Sequence, residues 1–403
     1  MTGTRRWLGT SAVLLATALW GTPAPARAYP WMIKHDYTGC GVCHADPSGG
    51  GLLTSYGRAQ SEILMQMPYG RSPVEEPKHA GFLFGLANLP DWLLTSLSFR
   101  GAEFGLWSQN PDGSTMTDLR FIMMLLDARA MIKLGAFRAG GSLGWGNTIV
   151  TTPAAVVTTN DGTQQLLSRD YWVGLALADE KVLLRLGRIN VPYGLRNVEH
   201  TSWVRGLTQT DINVSQQTGL AASFDNGTIR TEWLLMLGNL RATDTGYREQ
   251  GFSGFVEMRV AQRAAVGASA LVGRGHSFVE GQADYLRQSY GAFARWAPIV
   301  PVTFLLEGDV FFKSTLGSGQ NVPNGTGWLQ VDYEPIQGLH LMPAAEILKA
   351  ADTSGVATGW WLTVDWFCLP HTDLRLDGIY RNYPGQGGRQ EVLSWLVQLH
   401  VWL

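Results

Sequence analysis

Charged residues are scarce in this chain, and cysteine is nearly absent. Only 16% of the 403 residues are charged, and the formal net charge at pH 7 is −2. A chain without a basic excess lacks the electrostatic footprint of a nucleic-acid-binding protein, so no nucleic-acid partner is expected. The third cysteine, Cys368, lies far from Cys40 and Cys43, which excludes a four-thiolate zinc site. No catalytic triad, paired catalytic carboxylates or phosphate-binding loop is found.

Long apolar runs are also missing beyond the N-terminus, so no transmembrane helix is expected. Arg5 and Arg6 precede an apolar run over residues 7–20, and Ala26-Arg27-Ala28 ends in an A-x-A cleavage pattern. The run is shorter than the ~20 residues that a spanning helix needs, which argues against an uncleaved anchor. Residues 1–28 are therefore predicted to be a secretory signal peptide, and Tyr29 the mature start.

The sequence is rich instead in short segments of alternating character. Hydrophobic residues make up 45% of the chain, with 16 Trp and 48 Gly. In residues 372–382, Leu374 and Leu376 share one face, while Asp373 and Arg375 share the other. A period of two with charges on one face indicates a β-strand and excludes an amphipathic helix. Strands of about ten residues, apolar outside and polar inside, are typical of a transmembrane β-barrel.

The spacing of these segments predicts an all-β, transmembrane antiparallel barrel of about 16 strands over residues 81–403. The strands are expected near 92–106, 119–133, 135–146, 170–179, 181–189, 217–225, 228–238, 251–260, 263–273, 286–296, 301–312, 326–334, 337–348, 357–367, 372–382 and 391–402. Counts of about 14 or 18 also fit, because boundaries are uncertain by a few residues.

Connections between these strands alternate between long and short. Long ones such as 147–169 and 190–216 are expected on the outside, and tight ones such as Asn226-Gly227 in the periplasm. A soluble sandwich would give no reason for this alternation. The predicted location is the bacterial outer membrane, with its lipid as one partner.

Cys40-Gly41-Val42-Cys43-His44 matches the attachment pattern of c-type haem. The two thiols bond to the two vinyl positions of one porphyrin, and the adjoining histidine ligates the iron. A redox dithiol or half a zinc site is the alternative, but export favours haem. One covalently attached haem c is predicted, in a small helical module over residues 29–67. A proline-containing linker, 68–80, joins the module to the barrel.

The second axial iron ligand is left open. The first choice is His35, five residues before Cys40, and the alternatives are Met65, Met67 and His79. An iron with no second protein ligand would bind exogenous ligands. His371, beside Cys368 on a short turn, is either a haem contact or an ordinary turn residue.

Two residues after the CxxCH motif are further candidates for cofactor binding. Arg58 suits a haem propionate, since a guanidinium binds a carboxylate in bidentate fashion. Tyr56 is expected to pack on the porphyrin. The triple glycine from Gly49 to Gly51 is expected to end the helix carrying His44, and Thr54 to cap a second helix.

A module of this size is too small to bury haem alone. It is therefore expected to pack on the barrel, at or inside its periplasmic mouth. Charges on the inner face, such as Glu307, Asp332, Arg185 and Arg375, would brace strands and hold this plug, or line a weakly selective pore.

The stretch Leu53-Thr54-Ser55-Tyr56-Gly57-Arg58, following CxxCH, resembles that of exported cytochromes fused to outer-membrane porin-like β-barrels. A second stretch, Arg185 to Gly194, resembles phosphate-selective-type porins. The resemblance implies a monohaem cytochrome–porin that transfers electrons, with periplasmic or extracellular redox proteins as partners. Two other functions stay open: a porin with a haem plug or redox gate, and an outer-membrane haem enzyme such as a peroxidase or small-oxide reductase.

Overall fold

The computed structural model describes most of the chain after the predicted signal peptide. The described residues are 29–37, 39–71, 76–147, 155–158, 164–199, 201–213, 215–238, 247–277, 283–316, 322–351, 353, 355–385 and 388–403. The signal peptide predicted over residues 1–28 lies outside the described residues.

The described chain is dominated by one antiparallel sheet of long strands. Its strands are β1 Leu93–Gln109, β2 Thr115–Leu134, β3 Phe137–Asn147, β4 Ala155–Thr158, β5 Gln164–Leu167, β6 Tyr171–Leu177, β7 Val182–Ile189, β8 Gln217–Asp225, β9 Ile229–Met236, β10 Tyr247–Ala261, β11 Ala264–Ser277, β12 Tyr285–Ile299, β13 Val302–Thr315, β14 Asn324–Ile336, β15 Leu339–Lys349, β16 Ala357–Leu369, β17 Thr372–Gly385 and β18 Gly388–Trp402. Several are longer than predicted from the sequence, since the alternation continues beyond the apolar band.

The sheet closes on itself, because β1 pairs with both β2 and β18. β5 and β6 pair with successive parts of β3 and so share one position in the wall. β4 forms a hairpin with β5 in the connection after β3. The result is a closed antiparallel barrel of 16 strands, which confirms the all-β barrel and the strand number predicted from the sequence.

The two faces of the wall differ as the alternation predicted. In β17, Leu374 and Leu376 point outwards and are exposed, whereas Asp373, Arg375 and Asp377 point inwards and are buried. An apolar outer face and a polar inner face are what a barrel in lipid requires.

The predicted long connection 190–216 does not stay outside the barrel. It folds into the lumen and carries a short helix, α2 (Trp203–Gly206), that contacts β13, β14 and β15. The expectation of an outer loop is wrong for this segment. Buried polar side chains such as Arg205 hold it there by pairing with the inner wall.

The described residues between 29 and 67 also lie inside the barrel, at the end where the short turns are. Their elements are a 3-10 helix, Pro30–His35, the helix α1, Ser55–Gln60, and a π-helical turn, Ser61–Met65. Thr54 caps α1 by accepting a hydrogen bond from Gly57 N at 3.0 Å, as predicted. The expected helix around His44 is wrong: residues 41–43 form a turn, and His44 makes a β-bridge with Leu53.

Candidate cofactor site

A buried lysine fixes the start of the N-terminal segment to the inner wall. The Lys34 amino group lies 2.7 Å from carboxylate oxygens of both Asp332 and Glu334 on β14. The Lys34 side chain is fully buried. His340 on β15 contacts the same Asp332 at 2.7 Å. Because a buried charge is tolerated only with partners, this cluster holds the segment in one position.

A second set of contacts fixes the CxxCH segment. Cys40 Sγ accepts a hydrogen bond from Arg230 Nη1 at 3.1 Å. Asp46 pairs with Arg185 at 3.2 Å and accepts a hydrogen bond from Asn190 Nδ2 at 2.8 Å. The inner wall and the inward-folded loop thus both contact this segment.

The end of the N-terminal segment is hydrogen-bonded to the barrel. Gln337 Nε2 donates to the carbonyl oxygens of Ile63 and Gln66 at 2.9 and 2.8 Å. Met67 N donates to Phe367 O at 3.0 Å. Together with the apolar cluster of Trp31, Met32, Tyr37, Met65, Phe367 and Trp402, these contacts make residues 29–67 a plug of the lumen.

The helix α1 lies directly on the CxxCH turn. Thr54 N donates to Cys43 O at 2.9 Å, and Thr54 Oγ1 donates to Val42 O. A Cβ at Gly57 would collide with the Cys43 backbone, so glycine is required at this close approach. The stretch Leu53–Arg58 is therefore the structural support of the CxxCH motif.

A cavity opens beside His44, between the plug, the inward-folded loop and the strands β1, β2 and β18. The plug contributes Cys43, His44 and Met65 to its lining, and β18 contributes Trp402. The triple glycine lines it as well, with φ of 91°, 83° and 66° for Gly49, Gly50 and Gly51. These left-handed residues leave that side of the cavity free of side chains.

Positive charge dominates this cavity. Arg58, Arg100, Arg129 and Arg196 line it, and its described lining residues include no Asp or Glu. Arg129 is neutralised from outside the lining by carboxylates at 2.5 and 3.0 Å. Nη2 of Arg58 and all three guanidinium nitrogens of Arg196 are buried without a hydrogen-bond partner among the described residues. Such a site favours an anionic ligand.

The state of His44 suits metal coordination. Burial lowers the pKa of its imidazole to about 4, so the ring is neutral at pH 7. Its Nδ1 makes no hydrogen bond within the described part of the chain. A neutral imidazole is the form that binds a metal.

The predicted ligand candidates separate in space. Of these, Met65 lines the cavity with His44. Met67 Sδ accepts a hydrogen bond from Trp366 Nε1 at 3.3 Å. His79 pairs with Glu62 at 3.2 Å, and His35 Nε2 lies 3.8 Å from Glu334.

The remaining predicted residues lie outside the cavity that His44 shares with Met65. Tyr56 is 37% exposed and lines a second, larger cavity of about 620 Å³, which Val42 and His44 also line. His371 Nε2 lies 2.9 Å from His79 O. Cys368 Sγ lies 3.9 Å from Thr372 O.

The residues that the barrel contributes to the site were not predicted from the sequence. Arg100, Arg129 and Arg196 come from two strands and a loop that are far from CxxCH along the chain. Only the pairing of the strands and the inward folding of the loop bring them to His44, so no local pattern marks them. Within the described ranges, no group of three or more His, Cys, Asp or Glu side chains is arranged to hold a metal ion. No helix among them is long and apolar enough to cross a membrane.

The fold defines a class, the closed porin-like barrel. No protein-family model matches this chain, and no curated protein sequence matches it. Solved structures do resemble it. OmpT of Vibrio cholerae, folded in vitro, has a TM-score of 0.58 and 10% sequence identity over 79% of this chain and 100% of its own.

Two further channels share the architecture. The outer membrane channel DcaP of Acinetobacter baumannii has a TM-score of 0.52 and 12% identity, and the match covers 77% of this chain and 97% of DcaP. The anion-selective porin of Comamonas acidovorans has a TM-score of 0.52 and 13% identity, over 77% and 100% of the two chains. At these identities the likeness concerns the fold alone. Each match leaves about a fifth of this chain uncovered.

Proposed function

We propose that this chain is an outer-membrane cytochrome–porin that carries one haem c and transfers electrons between the periplasm and outer-membrane or extracellular redox partners. The observation that carries the proposal is the cavity beside His44. Cys43 and His44 of the CxxCH motif line it together with four arginines, and no acidic residue is among its described lining. Haem c needs two thiols, an imidazole and a surrounding for two carboxylates. Cys43, His44 and the arginines provide a thiol, the imidazole and that surrounding at the cavity, and the second thiol, Cys40, is buried against Arg230 three residues earlier in the chain.

The residues of the CxxCH motif would have different roles in holding the haem. Cys40 and Cys43 would bond the haem edge, and His44 would ligate the iron as a neutral imidazole. When bound, the haem supplies a one-electron Fe(III)/Fe(II) couple. The plug and the wall exclude bulk water from this site, since Cys40 and Cys43 are each only 2% exposed.

Met65 is the candidate that the geometry favours as the second residue that would hold the iron. Its side chain is 5% exposed and lines the cavity with His44. His35, the first choice from the sequence, lies instead beside Glu334. A methionine ligand raises the reduction potential relative to two histidines.

Optical spectroscopy of the protein purified from outer membranes tests this function, in both redox states, with and without carbon monoxide. We expect a low-spin c-type spectrum that carbon monoxide leaves unchanged, because two protein ligands occupy the iron. A Cys40→Ala, Cys43→Ala double variant is the control and is expected to lack covalent haem.

Two results would change the assignment. A high-spin spectrum that shifts with carbon monoxide would mean an open iron and would favour the haem-enzyme function. A wild-type protein without covalent haem would overturn the proposal and leave a plugged porin.

A further inference from the structure

Hydrogen bonds to the barrel wall fix the part of the inward-folded loop that precedes Arg196. Leu195 N donates to Glu307 Oε2 at 3.1 Å, and Tyr193 OH donates to Asp309 Oδ1 at 2.9 Å. Ser253 Oγ donates to Pro192 O at 2.8 Å. These contacts tie the loop to β10 and β13 immediately before Arg196. The position of Arg196 is therefore fixed by the barrel and not by the plug.

Arg196 forms no ion pair with any described residue. It is 9% exposed, and Nε, Nη1 and Nη2 all lack hydrogen-bond partners among the described residues. By contrast, Arg205 on the same loop pairs with Glu307, and Arg185 pairs with both Asp46 and Glu232. A buried charge without a partner is strongly unfavourable. Since no described residue binds this guanidinium, the site favours an anionic ligand.

The nearby carboxylates do not supply that anion. Asp46 and Glu232 are close enough to act on Arg196 electrostatically, but both are already bound to Arg185. The guanidinium of Arg196 instead lines the cavity that contains His44 and Met65. That cavity is where the haem of the proposed function would lie, and a haem carries two propionate carboxylates.

We propose that Arg196 binds a haem propionate, so that a loop of the barrel, rather than the haem module, completes the cofactor site. This inference rests on the proposed function. It joins Arg58, the propionate partner predicted from the sequence, with a second arginine about 140 residues further along the chain. The planar guanidinium matches a carboxylate with two parallel hydrogen bonds.

The reduction potential reports this contact without depending on activity. A positive charge beside a propionate offsets its negative charge and so favours ferrous iron. Arg196→Gln removes the charge and keeps a polar side chain, so ferric iron is favoured and the midpoint potential falls. We expect about a tenfold change in the ferric–ferrous equilibrium, a fall of ~59 mV for one electron.

A second readout follows the propionate itself. Without Arg196 its pKa rises, so the pH range in which the potential depends on pH moves upwards. Arg274→Gln is the matched control, since Arg274 is 65% exposed, pairs with Asp284 and is not part of the cavity lining. The control is expected to leave both the potential and its pH dependence unchanged.

The outcomes separate this inference from the function on which it rests. If Arg196→Gln changes the potential no more than Arg274→Gln does, Arg196 does not bind the propionate, although the cytochrome assignment stands. Wild-type protein without covalent haem removes the basis for both. If Arg196→Gln does not assemble, Arg196→Met gives the test, because it removes the charge and keeps an unbranched side chain in the buried site. A fall in the potential supports the contact, and no fall opposes it.

Discussion

At the residue scale, two methionines with nearly the same place in the sequence have different surroundings. Met65 lines the cavity with His44, whereas the Met67 sulfur accepts a hydrogen bond from Trp366 on the wall. We expect Met65→Ala to yield a high-spin haem that binds carbon monoxide, because the iron loses its second ligand. Met67→Ala is the control and is expected to keep the low-spin spectrum.

The spectra of the two variants, recorded with and without carbon monoxide, check this prediction. A low-spin Met65→Ala protein would show that another side chain ligates the iron, and His35 would be the next variant. A high-spin Met67→Ala protein would assign the ligand to that residue instead.

The residues that sequence could identify are those whose chemistry is local. CxxCH is a contiguous motif, and Thr54 and Gly57, which contact Val42 and Cys43, follow them by only 12 and 14 residues. Arg196 belongs to no local motif, because its role depends on a loop that folds back into the lumen. The preference for His35 followed from its nearness in sequence, while the left-handed Asp36 with φ of 68° turns the chain after it.

At the scale of elements, the contact between the 3-10 helix Pro30–His35 and β14 holds the plug. Lys34→Met would leave Asp332 and Glu334 without their shared cation in a buried site. We expect the plug to lose about 3–5 kcal/mol of stability, the usual cost of breaking a buried pair. Denaturant titration followed by the haem absorbance measures this loss.

A half-exposed pair provides the matched control. Arg263, on a short turn, contacts Asp36 at 3.0 Å, with side chains 31% and 42% exposed. Arg263→Ala is expected to cost about 0–1 kcal/mol, because solvent screens the pair. Equal effects of the two substitutions would show that the Lys34 cluster does not hold the plug.

Strands were predictable as elements and the inward-folded loop was not. The alternation of Leu374 and Leu376 with Asp373 and Arg375 is visible in the sequence, since a barrel wall has one face in lipid and one inside. Residues 190–216 have no period of their own. Their position in the lumen depends on hydrogen bonds to residues of distant strands, such as Glu307 and Glu346.

At the scale of the whole molecule, the plug and the inward-folded loop occupy the lumen together. We therefore expect the full chain to conduct ions weakly in a planar bilayer, and a chain lacking residues 29–67 to conduct strongly. Arg263→Ala, which loses one half-exposed pair, is expected to conduct as weakly as the wild type. A full-length conductance equal to that of the truncated chain would favour an open porin over a plugged cytochrome.

The seam of the barrel has a consequence for the order of biogenesis. β1 and β18, the first and last strands, pair from Ser98 with Trp402 to Gln109 with Glu391. The same two strands supply Ser96, Ser98 and Trp402 to the lining of the cavity. The wall of the cofactor site is therefore complete only after the last strand has been placed. Cys40 and Cys43 are then buried, so the haem of the proposed function would have to be attached to them before the barrel closes around the plug.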